Sequence, residues 1–81
     1  MYTDEMAKAF HSLDHYAPKG FKLQIIDHDH FLSVRAKEKM FMSLVDEEKR
    51  RAVEYMARVK KALEANGAIV LLVREGEDFD R

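Results

Sequence analysis

Residues 46–74 read DEEKRRAVEYMARVKKALEANGAIVLLVR, and this stretch decides the fold because it joins the longest helical pattern in the chain to its most apolar run. At about 100° per residue, Val45, Ala52, Met56, Val59 and Leu63 fall in one stripe, with Val53 and Lys60 on its shoulders. That stripe is expected to face a core. The opposite side carries Arg50, Arg51, Glu54, Arg58 and Lys61, and the pairs Glu47/Arg51 and Glu54/Arg58 have the i, i+4 spacing of helical ion pairs. Charges of both signs alternate there, the mark of a solvated face and not of a nucleic-acid surface.

The helix ends are also written in the sequence. Asp46, Glu47 and Glu48 set negative charge against the N-terminal amides, and Lys60 and Lys61 lie near the C-terminal carbonyls. Ser43 or Asp46 is the expected N-cap. Asn66-Gly67 ends the helix, since glycine enters the left-handed conformation without Cβ strain. The strand expected next, Ala68 to Val73, is apolar at every position, so Ile69, Leu71 and Val73 face one way and Val70 and Leu72 the other. Both faces of this strand need cover.

Working outward, Thr3, Asp4 and Glu5 form a helix entry, and Met6, Phe10, Leu13 and Ala17 recur on one face. This helix is expected to run to about Tyr16, where Pro18 and Gly20 stop it. In FKLQIID, Phe21, Leu23 and Ile25 alternate with Lys22, Gln24 and Ile26; after Asp27-His28-Asp29-His30, the alternation resumes in FLSVRA. The pair reads as a hairpin with a loop of about three to five residues. Residues 37–45, KEKMFMSLV, either extend the second strand or make a short third one, with Met40 and Met42 on one side and Phe41 on the other. The end, Glu75 to Arg81, is acidic around Phe79 and is expected to fray.

The expected architecture is therefore α+β: a small two-layer sandwich in the order α-β-β-(β)-α-β, two helices on a three- or four-stranded sheet, and one domain over residues 1–81. The crossover through the long helix makes the last strand parallel to the one before it. If both helices share a face, the uncovered face is expected to display Ile26, Phe31, Phe41, Val70 and Leu72 beside Lys22, Arg35, Lys37 and Lys39.

Composition bounds the function from outside. With 81 residues and no cysteine, neither disulfides nor thiolate-bound zinc supplement the core. A net charge of -1, with a mildly basic middle and acidic ends, gives no domain-wide positive potential for non-specific nucleic-acid binding. No apolar run reaches the roughly 18 residues of a membrane span and no signal peptide opens the chain, so a cytoplasmic protein is expected.

Several constellations carry a chemical reading beside a structural one. His11 and His15 at i, i+4, and His28-x-His30, have spacings that chelate metals, yet the first pair points away from the apolar stripe, so solvated histidines are expected and no metal is assigned. Asp27 to His30 pairs carboxylates with imidazoles, but as sequence neighbours in a turn with no nucleophile set beside them; a polar loop and no enzyme is the reading. Phe31 and Phe41, flanked by Arg35, Lys37 and Lys39, would make a base-stacking strip. Against it, RAKEKMFMSL lacks the glycines and aromatic spacing of sheet-type RNA readers, and the long helix opens on three acids where phosphate contacts would need cations.

The function expected is a small non-enzymatic protein-interaction module, without cofactor, that docks another protein or a second copy through an apolar sheet face or edge made by Phe31, Arg35, Lys37, Lys39, Phe41, Val70 and Leu72. A compact chain of this kind fits a phage- or mobile-element-encoded modulator of host machinery, such as a defence inhibitor. Nucleic-acid binding through the strip from Phe31 to Phe41 is the alternative.

Overall fold

The computed structural model describes residues 1–74, with Glu38 and Arg74 as backbone only. Helix α1 spans Asp4–His11; β1 (Leu23–Asp27) and β2 (Leu32–Ala36) form the hairpin; a short α2 (Glu38–Met42) leads into α3 (Asp46–Ala65), and β3 (Val70–Arg74) closes the order. The sheet runs β1-β2-β3, with β1 antiparallel and β3 parallel to the central β2. This is the expected α+β sandwich with three strands. The acidic segment Glu75 to Arg81 lies outside the described residues.

Thr3 opens α1 as its sequence suggests, its hydroxyl accepting a 3.1 Å hydrogen bond from the Met6 amide. The helix ends earlier than its apolar period implies. Ser12 turns its hydroxyl onto the Ala9 carbonyl at 2.7 Å, and the chain tightens into a 3₁₀ turn over Asp14–Tyr16.

Residues 37–45 do not form the extra strand. The Phe41 amide bonds the Lys37 carbonyl at 2.9 Å and the Ser43 hydroxyl caps the Met40 carbonyl at 2.8 Å, closing a single helical turn. Glu, Lys and Met are straight-chain helix formers, and a short apolar run does not outweigh them. Because Ser43 is spent on α2, the N-cap of α3 falls on Val45, whose side chain has nothing to offer the first-turn amides. Only the returning half of a capping box is made, the Val45 amide donating to Glu48 Oε1 at 3.3 Å.

That cap is a correctable weakness. Val45 is 64% exposed and already in the extended conformation an N-cap needs. Val45→Ser is expected to raise stability by about 0.5–2 kcal/mol, read as a melting temperature higher by about 4–8 °C per kcal/mol.

At the other end the stop is as expected. Gly67 sits at φ 95°, its amide bonding the Glu64 carbonyl at 3.0 Å while the Ala68 amide bonds the Leu63 carbonyl at 3.1 Å. These two bonds make a Schellman motif, and Ala68 and Leu63 enter the same core cluster.

The core lies between the helices and one face of the sheet. Leu32, Val34 and Ala36 of β2 are wholly buried, as are Ala52, Val59 and Leu63 of α3, and Met6 of α1 joins them. The thinnest dimension, 15 Å, fits one sheet and one helix layer. Tyr55 completes the α3 stripe, packed edge-on to Phe21 with ring centroids 6.3 Å apart. Val45, expected in the stripe, precedes the helix and stays exposed.

Candidate functional site

Register decides which face of β3 is sheltered. Val70 pairs with Leu32 and Leu72 with Val34, so both point at the helix layer, Val70 buried and Leu72 half-buried against the core. The expected placement is thus reversed. On the face that no described helix covers, Ile69, Leu71 and Val73 stand with Ser33 and Arg35 of β2 and Ile26 and Gln24 of β1. Ile69 is 66% exposed and Leu71 half-buried, whereas Val73 and Ser33 on the same face are buried.

The remaining expected site residues separate. Phe41 is buried, on a helix and not on the sheet, so it forms no platform with Phe31. Phe31 stacks on His28 at 4.5 Å, and His28 Nε2 meets the Ser33 hydroxyl at 2.7 Å, which caps the loop end of the uncovered face. Arg35 lies mid-sheet on that face, its Nε buried without a hydrogen-bond partner among the described residues. Lys37 and Lys39 are exposed at α2. Lys22, Arg35 and Lys37 nevertheless converge, with Leu23, Gln24 and Met40, on an open groove of about 440 Å³.

A second groove was not anticipated as such. It has a volume of about 570 Å³ and runs along the edge of β3 that pairs with no other described strand, lined by Val70 to Val73, by Phe41, and by Val53, Met56 and Lys60 of α3. Phe41, Val70 and Leu72, expected to lie exposed on a sheet face, are its walls. Val53 and Lys60 sit on the shoulder of the α3 stripe turned away from α1, which explains why Val53 stays 52% exposed. Among the described lining residues the one charged side chain is Lys60, whose Nζ lies 3.0 Å from Glu64 Oε2.

Backbone geometry makes this edge chemically active. The Leu32 amide donates to the Ile69 carbonyl at 2.8 Å, and in a parallel ladder this fixes Leu71 and Val73 as the residues whose amides point at β2. The N–H and C=O groups of Val70 and Leu72 therefore point outward. Natural edges are usually blunted by charge, proline or a bulge; residues 68–73 contain neither charge nor proline, and the charge within β3 is Arg74 at its end. The opposite edge is different, for β1 has Lys22 just before it and Gln24 and Asp27 within it.

Asp27 itself is a structural anchor. Its carboxylate accepts from the Met1 amine, from the Tyr2 amide at 2.9 Å and from the Asp29 amide at 2.8 Å. The bond from the terminal amine, then the two backbone bonds, hold its pKa well below the usual carboxylate range. A depressed folded-state pKa stabilises above the ordinary carboxylate pKa, and that contribution is lost as pH falls. Urea titrations should show Asp27→Asn less stable than the parent at neutral pH, the gap closing on acidification below about pH 4.

The other chemistry-bearing groups do not assemble. His11 and His15 are exposed, and among the described residues no three His, Asp or Glu side chains are placed to hold a metal. Burial first, then the Asp14 charge, pushes the Tyr55 phenol up, so it stays a neutral hydroxyl. No described helix is long and apolar enough to cross a membrane. The site and fold define a two-layer α+β domain whose β3 edge is apolar from Ala68 to Val73; the chain matches no family model, and comparison with curated proteins and with solved structures found no match.

Proposed function

We propose that this chain is a non-enzymatic protein-interaction module, working in the cytoplasm, that takes up a partner by strand addition along β3. The observation that carries this reading is the outward-pointing backbone of Val70 and Leu72, on a stretch uncharged from Ala68 to Val73 and bordering an apolar groove. Main-chain pairing supplies affinity and the groove selects apolar side chains at alternate positions. An inhibitor that occupies a partner's strand, as a phage- or mobile-element-encoded modulator of host machinery would, works through such a surface.

The test is crosslinking capture followed by reconstitution with the purified partner. Leu71→Lys and Val53→Lys change the edge and the groove wall at partly exposed positions. Each is expected to weaken the reconstituted complex at least about tenfold; retention of full affinity by both would remove the reading.

One observation favours a second reading, the convergence of Lys22, Arg35 and Lys37 on one groove. If that groove holds a nucleic-acid backbone, Lys37→Glu lowers affinity and reduces the slope of log affinity against log salt by about one. An unchanged slope excludes it.

A further inference from the structure

Resting on the strand-addition reading, we infer that the partner at the β3 edge is a second copy of this chain, paired antiparallel about a two-fold axis at Leu71. The register follows from the outward groups. With Leu71 opposite Leu71, Val70 lies opposite the partner's Leu72, and the two residues exchange both N–H···O=C bonds; symmetry repeats the exchange, giving four bonds from groups that point away from β2.

The same register matches side chains on both faces. On the face away from the helices, Ile69, which is exposed just before β3, comes opposite the partner's already buried Val73 and gains cover. On the helix face, Val70 meets the partner's Leu72. Five consecutive positions pair apolar with apolar, and none meets a charge.

Charge on α3 is complementary under this symmetry. Helix α3 runs antiparallel to β3, because it connects two parallel strands. Val53, Met56 and Lys60 line the groove, and helical spacing continues that side of α3 to Lys49 at one end and Glu64 at the other. The two-fold sets two such shoulders antiparallel with Met56 near the centre, which brings Lys49 toward the partner's Glu64 and Val53 toward the stem of the partner's Lys60. Opposite charges meet at both ends, where Glu64 would be shared between its own Lys60 and the partner's Lys49. The product is a six-stranded sheet with one continuous helix layer.

Sedimentation equilibrium over a concentration series, with amide exchange on the same samples, tests this. The wild-type chain is expected to reach about twice its 9.5 kDa mass and to dissociate on dilution, with Val70 and Leu72 amides protected only in the dimer. Leu71→Lys sets two like charges face to face across the axis and should raise the dimer dissociation constant about 100-fold with the circular dichroism spectrum unchanged. Ile26→Lys, on the same face but on β1, should leave it unchanged. A chain that stays at the single-chain mass up to about 1 mM overturns self-pairing, as does a Leu71→Lys dimer of wild-type strength. If that monomer gains protection at Val70 and Leu72 on adding a captured foreign partner, self-pairing fails and strand addition stands; if it gains none, both fail.

Discussion

Leu63→Ala is expected to cost about 2–5 kcal/mol, against a total stability of about 4–12 kcal/mol for a domain of this length. Leu63 is wholly buried and serves two structures at once, as a stripe residue of α3 and as the contact that seats Ala68 in the Schellman turn. Removing it opens a cavity under the junction of helix and final strand, where little can collapse to fill the space. Val53→Ala, on the same helix but half exposed, should stay within about 0.5 kcal/mol. Urea denaturation of the two variants separates core from groove wall; equal losses would mean that Val53 is packed as tightly as Leu63.

The second large effect contrasts neighbours on β3. Val70→Asp places a short carboxylate against Leu32 in the core, at a cost of at least about 3 kcal/mol. Leu71→Asp, one residue on and facing away from the helices, should cost about 1 kcal/mol, the ordinary strand penalty of aspartate. The pH dependence separates the two. Burial raises the pKa of the carboxyl introduced at position 70, so its penalty applies above that pKa and recedes on acidification. If both variants lose the same stability, the face assignment is wrong.

Elements were legible in the sequence wherever period and stop signals agreed. Asn66-Gly67 marked a turn that the structure builds with two hydrogen bonds, and the alternation of FLSVRA placed Leu32, Val34 and Ala36 on the covered face. What an uninterrupted apolar run cannot convey is parity. Ile69 to Val73 offers the same chemistry on both faces, and only pairing with Leu32 and Val34 tells Val70 from Leu71. Residues 37–45 misled for a related reason, since Met40, Phe41 and Met42 form a short uninterrupted apolar run that fits a strand as well as a helix, while their neighbours prefer a helix and Ser43 closes one. The groove along β3 left a fainter trace in the placement of Val53 and Lys60 on the shoulder of the α3 stripe, a position that borders an edge once the sheet order is known.

The central claim is that β3 presents a sheltered side chain face, an inward backbone half and an outward one. Amide exchange in a sample dilute enough to sediment as single chains reads this directly. Leu71 and Val73 should exchange slowly and Val70 and Leu72 fast, alternating along the strand; uniform protection of all four amides in that dilute sample would contradict the account.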